Sequence, residues 1–136
     1  MQTVTLGKTG IVVPKNGFGS LPIQRIHSID ETTYLLQKAL DHGMYYYDTA
    51  RDYTDSEAKL GEAFHDRRDK IIISTKTSAE TVEKFWSDLE TSLRTLRTDH
   101  IDIYQFHNPA FCPKPGDGRG LYEAMQEQKS YTICDV

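Results

Sequence analysis

The chain has 136 residues, 38% of them hydrophobic and 26% charged, with a formal net charge of −4. That length suits one domain over residues 1–136 with a core of its own, and the acidic balance leaves no basic footprint for nucleic acid. No apolar run reaches the roughly 20 residues of a membrane span, the N-terminal residues lack the apolar stretch of a secretory signal, and Cys112 and Cys134 form no metal-ligand pair, so a cytoplasmic protein without a disulfide framework is expected.

The first elements are two short β-prone runs, residues 3–6 and 11–13, around the turn Gly7-Lys8-Thr9-Gly10, and they predict a hairpin. A glycine-rich strand and loop follow at Asn16-Gly17-Phe18-Gly19-Ser20, where the backbone can come close to a strand or a ligand. Ser28 and Glu31 have capping-box spacing, and Leu35, Leu36, Ala39 and Leu40 form a helical stripe ending before Gly43. An aromatic strand is predicted at residues 45–47. Thr54 with Glu57 predicts the cap of a second helix with Ala58, Leu60, Ala63 and Phe64 inward. The charged run 66–70 reads as a solvated turn before a strand at 71–74. Thr77 with Glu80 predicts a third cap, ahead of the longest amphipathic helix, marked by Val82, Phe85, Trp86, Leu89, Leu93 and Leu96. A strand at 101–106, a Pro- and Gly-rich loop at 109–118 and a helix from Leu121 to about Lys129 complete the order.

A hairpin followed by four strand–helix units predicts the α/β class, with parallel strands and right-handed crossovers. Four β/α units are half of a TIM (β/α)8 barrel, and such folds hold their chemistry at the C-terminal strand ends. A half barrel leaves two unpaired edges and an interior face expected to be apolar and exposed. Both features predict self-association into a homo-oligomer.

Three of those strand ends carry chemistry: Asp48, Lys76 and His107, with Tyr53 on the loop after Asp48. A free phenol has a pKa of about 10. A neighbouring ammonium stabilises its phenolate, an aspartate holds that ammonium, and the phenol becomes a proton donor to a developing alkoxide. A histidine opposite can orient a carbonyl. The set suits C=O reduction with hydride from a nicotinamide. Each residue alone has a plainer reading: a turn-capping Asp48, a packing tyrosine among eight, a solvated Lys76, a turn His107. The five histidines have no metal-ligand spacing and there is no HExxH or GxSxG, so neither a metal site nor a serine nucleophile is expected. An isomerase on the same scaffold would have no use for the four-residue set.

The stretch Gly43-Met44-Tyr45-Tyr46-Tyr47-Asp48-Thr49-Ala50-Arg51-Asp52-Tyr53, with Ser56-Glu57-Ala58-Lys59-Leu60-Gly61, Ser74-Thr75-Lys76 and residues 99–109, resembles the N-terminal half of the aldo-keto reductase family. The resemblance runs from Leu6 to about Gln128. It implies an NADPH-dependent oxidoreductase acting on small aldehydes and ketones, on a barrel plugged by the hairpin. It assigns catalytic roles to Asp48, Tyr53, Lys76 and His107, with Tyr53 the proton donor, and places Gly19, Ser20 and Asp48 at the cofactor. Since TIM barrels run to about 250 residues, the resemblance implies a truncated member without strands five to eight, which in the family hold much of the cofactor. The tail after Glu127 departs from the family's turn and fifth strand. The alternative expectation is therefore a catalytically inactive half-barrel remnant that self-associates.

Overall fold

The computed structural model describes residues 1–128 and 131–133. Strands β1 (Thr3–Thr5) and β2 (Val12–Pro14) pair antiparallel as the predicted hairpin. Thr9 closes its turn by donating Oγ1 to Leu6 O at 2.7 Å and accepting from Ile11 N at 3.0 Å. A five-stranded parallel sheet follows, in chain order: β3 (Phe18–Gly19), β4 (Tyr46–Asp48), β5 (Ile72–Thr77), β6 (Ile103–Phe106) and β7 (Tyr131–Ile133). The connecting helices are α1 (Ile29–Asp41), α2 (Ser56–Phe64), α3 (Val82–Thr95) and α4 (Leu121–Glu127), with a 3-10 turn at Leu21–Arg25 before α1. Four strand–helix units and a hairpin make this a partial (β/α)8 barrel.

Strand β7 corrects the expectation that the tail departs from a fifth strand. Tyr131-Thr132-Ile133 pairs with Ile103, Tyr104 and Gln105, so β6 is an inner strand and the edges are β3 and β7. Lys129, the expected end of α4, lies outside the described residues.

Helix caps explain where local signals succeed and fail. Ser28 caps α1 as expected, accepting from Glu31 N at 3.2 Å. The cap of α2 is Asp55 rather than Thr54, because Glu57 is drawn into the core and Thr54 instead donates to Gln24 Oε1 at 3.1 Å. The inward face of α2 is Ser56, Glu57, Lys59, Leu60, Gly61, Ala63 and Phe64; Ala58 is exposed. The cap of α3 is Thr81, accepting from Lys84 N at 3.2 Å. Thr77 belongs to β5, which runs three residues beyond its predicted end. The charged run 66–70 is no free turn either, since Arg68 bonds Asp102 Oδ2 at 2.6 Å and Ile71 O at 2.9 Å.

Alternate residues of each strand face the helices, as the period-2 geometry of strands requires. Tyr47, Ile73, Tyr104 and Phe106 pack there against Leu36, Leu60, Phe64, Phe85 and Leu89. The Tyr47 ring packs tilted against Phe64 at 4.7 Å between centroids and its hydroxyl donates to Leu36 O at 2.8 Å, so its polar end is satisfied inside the core. Fully burying side chains of this kind contributes about 1.5–3 kcal/mol each.

The opposite face departs from expectation. It presents Asp48, Ser74, Lys76 and Gln105 at its C-terminal end, while Tyr46 and Ile72 below them are only partly exposed and Ile103 is buried. None of the large exposed apolar side chains among the described residues lies in β3 to β6. Among the described residues the C-terminal end of this face is polar, with Tyr46, Ile72 and Ile103 beneath it. No helix among the described residues is long and apolar enough to cross a membrane.

Helices α2 and α3 touch backbone to backbone at Gly61, where an added Cβ would stand 2.5 Å from Thr95 O and 2.9 Å from the Leu96 carbonyl carbon. Neither backbone atom can rotate away. Gly61→Ala gains up to about 1 kcal/mol of helix propensity but overpacks the contact by about 1–3 kcal/mol or more. The expected net result is a Tm lower by several degrees in thermal circular dichroism.

Candidate active site at the strand ends

Strand register brings the four candidate residues together. Asp48 sits opposite Gly19 on one side and Ser74 on the other, and Lys76, two residues further along β5, sits opposite Gln105. Residues two apart on a strand share a face, so Ser74 and Lys76 both project beside Asp48. Lys76 Nζ donates to Asp48 Oδ2 at 2.6 Å and to Thr49 O at 2.8 Å. Asp48 Oδ1 accepts from Ser74 Oγ at 2.9 Å and from Gln105 Nε2 at 3.4 Å. Gln105 also donates to Ser74 Oγ, which closes a polar network across three strands.

Tyr53 follows on the loop between β4 and α2. Its ring lies 5.5 Å from Lys76 Nζ and meets the His107 ring edge-on at 5.4 Å. Among the described residues no hydrogen bond joins Lys76 to the phenol oxygen. The expected lowering of the phenol's pKa by the lysine is not found: burial, then the charges of Asp48 and Asp52, push the Tyr53 phenol up. The physical reason is that the ammonium is engaged by Asp48 and Thr49 and lies over the ring. The phenol is thus fully protonated at neutral pH.

His107 follows β6 directly. Its backbone N–H donates to Thr77 O at 2.8 Å, extending the β5–β6 pairing by one step. Its neighbour Asn108 takes a left-handed φ of +47°, a conformation asparagine tolerates better than most residues. Beside His107 is a cavity of about 240 Å³, lined by residues 77–80 and 106–111.

Gly19 and Ser20 stand at the end of β3. A Cβ on Gly19 would meet nothing within 4 Å, so the space beside Asp48's strand partner is open. Ser20 donates its N–H to Asp48 O at 2.8 Å and accepts from Ser56 Oγ at 3.0 Å, yet its own buried Oγ has no partner. An orphaned buried hydroxyl costs free energy and marks a place where a ligand atom would be welcome. Among the described residues no cluster of three His, Cys, Asp or Glu side chains is arranged to hold a metal ion.

Three supporting side chains escape the sequence reading. Glu57, 1% exposed, accepts from Thr75 Oγ1 and Ser92 Oγ, both at 2.7 Å, and pairs with Arg51 of the Tyr53 loop. Buried Lys59 donates to Ile23 O at 2.9 Å and Ile26 O at 2.7 Å and pairs with Asp55, holding the segment after β3. Asp52 contacts His107 Nδ1 at 3.2 Å and accepts from Ser78 Oγ. In the sequence Glu57 reads as the capping partner of Thr54, and Lys59 lies outside the predicted inward face of α2. The available signal was their place next to Leu60 and Gly61, on the side of α2 that meets the sheet and α3.

Residues 17–129 match the sequence model described as the Aldo/keto reductase family. The aldo-keto reductase YhdN of Bacillus subtilis is 32% identical over 127 residues, covering 80% of this chain and 38% of that protein. Among solved structures, a holo-form aldo-keto reductase from Bacillus halodurans superposes with a TM-score of 0.81 at 28% identity, covering 98% of this chain and 50% of that one. An aldo-keto reductase from Klebsiella pneumoniae in complex with NADPH gives 0.74 at 27% identity, covering 86% and 42%. The chain thus spans about half or less of the length of these proteins.

Removing Glu57 leaves the buried Thr75 and Ser92 hydroxyls without their acceptor, at about 1–3 kcal/mol each, while Arg51, partly exposed, keeps access to water. Glu57→Ala is expected to cost an amount of that order in urea-induced unfolding, with the midpoint displaced and the slope unchanged. Tyr53 is expected to titrate above its ordinary value of about 10 in an ultraviolet pH titration, as the component missing from Tyr53→Phe. Because its folded pKa is raised, its contribution to stability is complete below about 10 and is lost as pH climbs through the raised value.

Proposed function

The chain belongs to the aldo/keto reductase family, and from that premise we propose that it carries the proton-donating part of a site for NADPH-dependent reduction of small aldehydes and ketones. The observation that carries this reading is the convergence of Asp48, Tyr53, Lys76 and His107 at one end of the sheet, with Lys76 bonded to Asp48 and lying over the Tyr53 ring beside His107.

In this reading Tyr53 is the general acid. Its phenol holds its proton at neutral pH, and an alkoxide forming on a bound carbonyl is more basic than a phenolate, so transfer from Tyr53 Oη runs downhill. Lys76 contributes after the transfer, because its ammonium, 5.5 Å from the ring, attracts the phenolate left behind. Asp48 keeps that ammonium in place through a bond of 2.6 Å. His107, edge-on to Tyr53, is placed to orient a carbonyl presented to the phenol.

The residues present fit one part of a nicotinamide dinucleotide site. Gly19, Ser20 and Asp48 would hold it, through the open space at Gly19, the unpartnered Ser20 hydroxyl and the Asp48 carboxylate. When bound, the nicotinamide supplies the hydride. Ser20, Thr49, Ser56 and Ser74 lie buried at the base of this corner.

Self-association is proposed on backbone grounds alone. Strands β3 and β7 are the sheet edges and offer main-chain groups for pairing with another chain.

The purified chain is tested by fluorescence titration with NADPH and by turnover of a panel of small aldehydes and ketones. Saturable binding is expected, weakened in Lys76→Met. Where turnover is measurable, Tyr53→Phe is expected to lower kcat by about 10²–10⁴-fold, the usual worth of a general acid. Absence of saturable binding overturns the reading for this chain.

A further inference from the structure

His107 has one ring nitrogen engaged and one left over. Nδ1 lies 3.2 Å from Asp52 Oδ2, and no described residue bonds Nε2. Asp52 stands one residue before Tyr53, on the loop after β4. Its Oδ2 also accepts from Ser78 Oγ, so the carboxylate is gripped from the β5 side while it faces the histidine. The His107 ring is held further by its edge-on contact with Tyr53 at 5.4 Å and 83°, and by the bond from its backbone N–H to Thr77 O. The Ser78 hydrogen bond, opposed by burial and aided by His107, holds the Asp52 carboxyl below the usual carboxylate range. A carboxylate can only accept hydrogen bonds, so the nitrogen facing it must carry the proton.

We propose that Asp52 is a positioning residue for His107: it accepts the Nδ1–H of the imidazole and thereby makes Nε2 a bare acceptor in the neutral ring and a donor only in the imidazolium. The partner of one ring nitrogen sets what the other can do, and a carboxylate that fixes ring orientation and tautomer acts without touching substrate. For the carbonyl reduction proposed above, on which this consequence rests, a neutral His107 cannot donate from Nε2 to a carbonyl oxygen. The orienting hydrogen bond belongs to the protonated ring, with Asp52 as its counter-charge. The other titratable or charged groups around the ring are Tyr53 on the same loop as Asp52, Lys76 on β5, which lies over the Tyr53 ring, Glu80 on the loop after β5, which lines the same cavity, and Lys84 on α3, whose charge acts on Asp52.

The test reads the tautomer directly and needs neither cofactor nor turnover. Long-range proton–nitrogen NMR of the full chain is recorded at a pH where the imidazoles are neutral, with the His107 signals assigned by their loss in His107→Gln. The expected wild-type pattern is a protonated-type Nδ1 and a bare-type Nε2. In Asp52→Ala the two resonances are expected to shift toward each other's positions, as the Nε2–H form gains population. A wild-type His107 already in the Nε2–H form overturns the proposal, as does a pattern unchanged in Asp52→Ala. Should Asp52→Ala not yield folded protein, the wild-type spectrum alone decides. Failure of NADPH binding would sink the reductase reading and leave this result standing.

Discussion

The buried carboxylate of Glu57 is the constraint on which the arrangement depends. A carboxylate 1% exposed is tolerated only when its oxygens are fully engaged. Its partners come from three different places: Thr75 on β5, Ser92 on α3 and Arg51 on the loop that carries Tyr53. Satisfying one charge therefore brings α2, α3 and β5 together and ties the loop to them. Gly61, one turn along α2, permits the close approach of α3 that this convergence requires. Precision at Tyr53 begins one layer beneath it.

Above that layer the sheet carries a second polar network, in which Asp48, Ser74, Lys76 and Gln105 satisfy one another across β4, β5 and β6. In a closed barrel such residues would line the interior. Here Asp48 and Lys76 are partly exposed and Ser74 is buried. Burial first, and then the charges of Asp48 and Asp52, make Tyr53 hold its proton more firmly than a free tyrosine, while Lys76 is engaged by Asp48.

Much of the fold was legible in the sequence because it rests on local, periodic signals. The Thr9 turn, the Ser28 cap, the stripe of Phe85, Leu89 and Leu96 and the β-rich runs each act within a few residues and needed no distant partner. The errors share one cause. Thr54 with Glu57, and Thr77 with Glu80, have the spacing of caps, but Glu57 is claimed by Thr75 and Ser92, and Thr77 by β5 and by Asp88 at 2.5 Å. A distant partner that buries a polar group outbids a local cap. Strand β7 was missed because three residues of a tail carry little signal until β6 offers an edge.

Residue types and their order determined the α/β alternation, the hairpin and the presence of Asp48, Tyr53, Lys76 and His107 near successive strand ends, because strand and helix periods and the succession of units are properties of the chain itself. Tertiary structure alone decided what those residues touch. Register set Lys76 on Asp48 rather than on the phenol oxygen, a loop anchored by Glu57 set Tyr53 against His107, and the neighbouring Asp52 took a histidine nitrogen. Hydrogen bonds and charge interactions fall off within a few ångströms, and separations that small, between residues as far apart in sequence as Asp52 and His107, are set only when the chain has folded.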